Sequence, residues 1–177
     1  MQYLTQQIKR KNTANNNYPV YSVTNDAGFK LQAEQFNNEV ASISKSNYSI
    51  VSKGQYAYNP SRINVGSIGY LKENIDVIIS PLYVVFECAE QLDEDFLENF
   101  LKTNNFNHQR KALTSVSVRE TLSYEGFSEI VIKIPSLEEQ QKIGSFFKAL
   151  DEKIELQKQK VDAIKEYKKG LLQQMFI

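Results

Sequence analysis

Apolar positions fall into two regimes along this 177-residue chain. Up to Pro135 they come in short β-branched and aromatic runs punctuated by turn formers; beyond it they recur every three or four residues. Val77-Ile78-Ile79 and Leu82-Tyr83-Val84-Val85-Phe86, separated by Ser80-Pro81, read as buried strands, since branched and aromatic side chains fit a pleated surface. Residues 18–36 mix shorter apolar runs around Asn25-Asp26-Ala27-Gly28, a turn sequence, and predict short strands beside it. Asn12-Thr13-Ala14-Asn15-Asn16-Asn17 is polar and turn-forming, hence a loop. Asp93 is placed to cap a helix whose Phe96, Leu97, Phe100 and Leu101 share one face, with Asn104 and Asn105 at its exit. Ile130, Ile132 and Ile134 alternate with Val131 and Lys133, a pattern that predicts a last strand ended by Pro135.

The remainder follows a helical period. Ser136 and Glu139 form a capping box, and Glu138 adds an acid where the helix dipole favours one. Ile143, Phe147, Leu150, Ile154, Val161, Ile164, Leu171 and Met175 then mark one stripe, with Gln157 and Lys168 at the polar seam positions. A helix over 136–177 at about 1.5 Å per residue is a rod roughly 60 Å long. A domain made of residues 1–135 offers little surface to cover such a stripe, so the pattern predicts a helical partner and a coiled coil. The fold class is therefore α+β: a mixed, strand-rich domain over 1–135 followed by a long C-terminal helix over 136–177.

Composition narrows the setting. Hydrophobic residues make up 41% of the chain, enough for a core without disulfides, and the single cysteine, Cys88, sits in an apolar run as a small buried hydrophobe. Met1-Gln2-Tyr3-Leu4-Thr5-Gln6 has neither the basic nor the apolar part of a secretory signal, and no window approaches the roughly 20 apolar residues of a membrane span. These features predict a cytoplasmic protein without membrane contact. The formal net charge is zero, but residues 1–72 carry eight basic and three acidic groups while 73–101 carry eight acidic and no basic ones. Such a split lets one side meet phosphate while the total stays low; scattered charge on a solvated face gives the same count.

Machinery for chemistry is missing. A DNA amino-methyltransferase needs a glycine-rich cofactor turn and an Asn/Asp-Pro-Pro-aromatic loop; Asn59-Pro60-Ser61 lacks the second proline and the aromatic, and no Gly-x-Gly occurs. Asp93-Glu94-Asp95 opens a helix and reads as capping charge rather than a metal nuclease site. One cysteine and one histidine leave zinc without ligands, and His108 has no identifiable nucleophile or orienting partner. The expectation is no catalytic residue, no cofactor and no metal.

Recognition chemistry is left. The stretch from Tyr56 to Gly69 offers Tyr58, Ser61, Arg62, Asn64, Gly66 and Ser67: arginine can fork onto guanine or phosphate, asparagine can pair with adenine, and glycine lets backbone amides approach. An ordinary turn between strands, with the tyrosines in the core, has the same composition. Gln109-Arg110-Lys111 and Ser117-Val118-Arg119 are similar, shorter segments. On this reading Arg62, Asn64 and Arg119 reach the duplex, Lys9, Arg10, Lys11, Arg110 and Lys111 neutralise phosphate, and Tyr58, Ser61, Gly66, Ser67 and Ser117 complete the surface.

Read in order, these pieces resemble a known family. Tyr18-Pro19-Val20-Tyr21-Ser22-Val23-Thr24-Asn25-Asp26, the Tyr58–Ile68 stretch, Ser80-Pro81-Leu82-Tyr83-Val84-Val85-Phe86, the Ser117-Val118-Arg119 corner, and Ile134-Pro135-Ser136-Leu137-Glu138-Glu139-Gln140-Gln141-Lys142-Ile143 running into Leu150-Asp151-Glu152-Lys153-Ile154 are similar to a target recognition domain plus the helical spacer of type I restriction-modification specificity subunits (the HsdS family). The resemblance implies a non-catalytic subunit that binds double-stranded DNA and carries methyltransferase subunits and, through them, restriction subunits. Members of the family hold two recognition domains apart on paired helices, each reading half of a split site. This chain has one such domain and one long helix, so it is either a half-size subunit that pairs with itself through Ile143, Phe147, Leu150, Ile154, Gln157, Val161, Ile164, Lys168, Leu171 and Met175, or a fragment of a two-domain subunit. A structural adaptor that docks modification subunits and touches DNA without sequence preference is the other reading.

Overall fold

A computed structural model describes residues 1–25, 28–32, 45–114 and 121–176. Among them the chain forms β1 (Thr5–Ile8), β2 (Tyr21–Thr24), β3 (Gly28–Leu31), β4 (Ser49–Val51), β5 (Gln55–Tyr58), β6 (Ile68–Tyr70), β7 (Val77–Ile79) and β8 (Val84–Cys88), then helices α1 (Glu94–Leu101), α2 (Asn104–Leu113), α3 (Tyr124–Glu129) and α4 (Leu137–Met175). None of these helices is long and apolar enough to cross a membrane. The α+β class expected from the pattern is the class observed.

The central sheet has the order β1-β8-β5-β6, antiparallel throughout, with Tyr56 opposite Phe86 and Ala57 opposite Val85. Side chains alternate across a strand, so this register sorts them by size. Tyr56, Tyr58 and Phe86 point to the helical side, where Leu97, Leu101, Phe106, Phe127 and Ile130 bury them. Ala57 and Val85 point the other way, against Val23, Val51, Val77 and Ile79 of the two ribbons β2–β3 and β4–β7. A bridge from Val20 to Ile78 links the two ribbons, and one from Lys11 to Ser49 ties the segment after β1 to β4.

On the helical side the packing is aromatic. Phe86 stacks on Tyr56 with centroids 5.1 Å apart, and Phe127 lies 4.9 Å from Phe86 and 5.5 Å from Tyr58. Each short helix is capped in a way its sequence specifies: Asp93 accepts from Phe96 N at 2.9 Å, Thr103 from Phe106 N at 3.2 Å, and Ser123 from Gly126 N at 3.2 Å. The same chemistry opens α4, where Ser136 accepts from Glu139 N at 3.3 Å.

Three local expectations are corrected. Ile130 and Ile132 do turn into the core, but no strand forms: the Gln109 amide fills the place of a neighbouring strand, donating to Val131 O and accepting from Val131 N, both at 2.8 Å. Asn104 and Asn105 do not end a helix; with Thr103 capping, they begin α2. Leu82 and Tyr83 belong to a turn in which Tyr83 N donates to Ser80 O, and Leu82 is 75% exposed, so the strand starts at Val84. β2 and β3 pair on either side of the turn expected at 25–28, whose Asp26 and Ala27, like residues 33–36, lie outside the described residues.

The aromatic layer makes opposite predictions for two of its members. Phe127→Ala deletes a fully buried ring and should cost about 3–5 kcal/mol in urea unfolding. The Tyr58 hydroxyl is buried without a hydrogen-bond partner among the described residues, so Tyr58→Phe should raise the unfolding free energy by about 1 kcal/mol. A loss of stability in Tyr58→Phe would mean that the hydroxyl is satisfied after all.

Candidate nucleic-acid interface

Between β5 and β6 the chain closes on itself in a fixed conformation. Asn59 N donates to Ser67 O at 3.0 Å, Arg62 N to Asn59 O at 3.0 Å, and Ser61 N to the Asn59 side chain at 3.0 Å. A single 3₁₀ turn, Ile63–Val65, follows. It ends at Gly66 with φ +88°, a left-handed conformation that costs glycine little and other residues more. Ile63 is the anchor, buried in the aromatic core, and Ser67 turns inward to donate to Val23 O at 2.7 Å. What the turn displays outward is Ser61, Arg62, Asn64, Val65 and Gly66. A pre-set loop presenting arginine and asparagine loses little conformational entropy on binding, which suits it to hydrogen-bond a base edge.

Beside Arg62 runs a groove of about 460 Å³, walled by Ser22, Tyr48, Asn59 and Tyr83. Tyr48 carries the groove toward the first basic cluster, since its carbonyl accepts from Asn12 N, one residue past Lys11. Composition around Arg62 gave no sign of Tyr48 or Tyr83 as its neighbours, because both come from distant segments that only the ribbon pairing assembles.

The basic cluster divides when its partners are considered. Lys9 is exposed. Arg10 contacts Asp76 at 3.5 Å and donates to Ser52 at 3.2 Å, while Lys11 donates to Ser49 at 3.1 Å. The acidic block between residues 73 and 101 therefore supplies local partners to the basic set: besides Asp76, Glu98 sits 3.3 Å from Lys72 and 3.4 Å from Lys102. These are solvent-exposed pairs of small energetic weight, which a polyanion can displace.

Three residues expected at the surface are not there. Tyr58 is a core ring with its phenol held neutral, its pKa raised first by burial and then by nearby Glu125. Ser67 is 3% exposed and Arg110, on the inner face of α2, is also 3% exposed. Strand alternation turns Tyr58 inward, helix phase turns Arg110 inward, and the bond to Val23 O draws Ser67 in, information that local composition does not contain. Lys111, one position on, faces outward. Ser117 and Arg119 lie outside the described residues; Leu122, shortly after them, donates its N–H to Pro60 O at 3.1 Å, beside the Arg62 loop.

Along α4 every residue of 145–169 is exposed. The stripe stands open to solvent: Phe147 43%, Leu150 39%, Ile154 53%, Val161 50%, Ile164 67%, Leu171 40% and Met175 72%, with Ile143 half-buried and Gln157 and Lys168 exposed. The hollow between Leu150, Ile154, Gln157 and Val161 is predominantly apolar.

Comparison with known proteins agrees with this architecture. The profile of the type I restriction modification DNA specificity domain matches residues 5–166. No curated protein matches in sequence. Among solved structures, the HsdS subunit from Thermoanaerobacter tengcongensis superposes with a TM-score of 0.64 at 16% identity, over 86% of this chain and 41% of that one. A chain from a study of the complex assembly and conformational transition of the type I R-M system superposes with a TM-score of 0.59 at 15% identity, over 85% of this chain and 37% of that one. At such identities the likeness is one of fold, and the chain spans about two fifths of the length of these relatives. With the profile running across nearly all of the strand-rich body and most of the helix, the chain belongs to the type I restriction modification DNA specificity domain family.

Proposed function

We propose that this chain reads one half of a split DNA site, without catalysing a reaction, and that two copies paired through α4 read both halves. Residues 1–135 form the recognition unit and 136–177 the spacer. Arg62 and Asn64, with Arg119, contact base edges; Ser61, Gly66 and Ser117 line the contact; Lys9, Arg10, Lys11 and Lys111 neutralise phosphate. The observation that carries the reading is the open stripe of α4, since a continuous apolar face of this length on a soluble chain marks an interface. One recognition unit cannot read two half-sites, whereas two related by a two-fold axis can, and identical copies select an interrupted palindrome. An antiparallel pair places the two units tens of ångströms apart along a helix of 39 residues, compatible with half-sites about one DNA turn, near 34 Å, apart. Gln157 and Lys168 set the register at some cost in stability. In this role the pair carries modification subunits and, through them, restriction subunits.

The chain's coverage of 41% and 37% of the solved relatives favours one other source for the second helix: the same polypeptide, in a longer subunit. Self-association decides between them. Sedimentation of the unaltered chain should give a dimer and Ile154→Asp/Val161→Asp a monomer; an unaltered chain that is monomeric at tens of micromolar assigns the second helix to a longer subunit.

DNA reading is tested with the modification subunit present. Arg62→Ala should lose about 1–3 kcal/mol on the selected site and relax the preference at one position of each half. Lys9→Ala should weaken all sequences alike and flatten the salt slope by about one per copy. Equal loss on every sequence in Arg62→Ala would instead mean a chain that docks modification subunits and holds DNA by charge alone.

A further inference from the structure

The root of α4 is clamped to the recognition body more tightly than its polar sequence suggests. Gln140 is 1% exposed, and its amide makes three hydrogen bonds to main-chain atoms: it accepts from Asp93 N at 3.0 Å and donates to Gln91 O and Pro135 O, each at 3.0 Å. One turn on, Gly144 lies so close to the start of α1 that a Cβ there would stand 2.8 Å from Asp95 Cβ and 3.2 Å from Asp93 Oδ1. Two turns further, Lys102 reaches Asp151 at 3.7 Å. At about 100° per residue, Gln140, Gly144 and Asp151 lie within about 40° of one another on α4, while Ile143 and Leu150 lie roughly a quarter turn away and Phe147 between the two sets. Clamp and stripe therefore lie on adjoining faces, and the stripe from Leu150 onward stays exposed to a partner while the clamp is engaged.

We propose that Gln140 and Gly144 are positioning residues: they fix the direction in which α4 leaves the recognition body, and so set the gap between the two halves of the target, a claim that rests on the paired reading above. The lever is long. A change of about 10° at Gly144 swings the far end of the helix by about 8 Å, more than two base-pair steps of about 3.4 Å. Glycine in a helix interior is destabilising relative to alanine, and close packing on α1 gives this one a structural reason. Neither residue approaches the Arg62 loop, so altering the joint changes spacing and leaves the half-site sequence as it was.

Two measurements test this. In the full chain carrying Cys88→Ala, Lys53→Cys and Lys169→Cys, spin-labelled and diluted with unlabelled protein, the distance between body and helix should be narrow. Gly144→Ala should shift it, Gln140→Ala should broaden it, and Asp95→Gly/Gly144→Ala, which removes the colliding carbon, should return it toward the original value. A distribution unchanged by both single substitutions, or broad from the outset, overturns the joint. DNA selection from a random pool, with the modification subunit present, should then recover the same half-sites with a gap altered by about one to three base pairs in Gly144→Ala and restored in the double variant. An unchanged gap beside a shifted distance overturns its role in spacing. Recovery of no split site by the unaltered chain sinks the paired reading and the spacing role with it, while the distances still judge the joint.

Discussion

The pairing of β5 with β8 is the constraint on which the rest of the molecule depends. Both strands are covered on both faces, so their register decides which side chains enter which layer. Tyr56, Tyr58 and Phe86 build the aromatic layer that seats three short helices; Ala57 and Val85 keep the opposite face flat enough for two ribbons to lie on it. A slip of one residue would exchange the two sets, driving rings into a space sized for a methyl group and opening cavities under the helices. The register is thus specified by packing on two sides at once.

From that pairing the Arg62 loop inherits its rigidity. Its ends continue β5 and β6, Ile63 is sunk in the aromatic layer and Ser67 is tied to β2, so Arg62 and Asn64 are carried on a short turn held at several points. The helix layer passes the same rigidity to α4, because Asp93 serves two purposes. Its side chain caps α1, and its main-chain N–H donates to Gln140 at the root of the long helix. Body, loop and α4 are joined by these bonds, and the acidic block of 73–101 contributes Asp93 as a cap and Asp76 and Glu98 as ion-pair partners.

Much of this was legible in the sequence, and the reason lies in the range of the forces involved. The β-branched and aromatic runs, the period-3.6 pattern, the Ser136 and Asp93 caps, the Ser80-Pro81 break and the open stripe from Ile143 to Met175 are local properties, written into neighbouring residues. The family likeness was legible for the same reason, through an ordered series of local motifs. Direction was not. Whether Tyr58 and Arg110 face solvent or core depends on strand and helix phase against a layer whose members come from elsewhere in the chain. That Ile130 and Ile132 pack inward without a strand depends on Gln109 reaching Val131 across 22 residues. The joint at Gln140 and Gly144 depends on α1 being brought against α4. The sequence by itself determined the helix capped by Asp93, the long helix opened by Ser136, the buried strands on either side of Ser80-Pro81, and that one long apolar stripe exceeds what the body can cover. Only the tertiary structure decided which polar residues face outward and the angle at which the helix departs, because both are set by contacts between segments far apart in the chain.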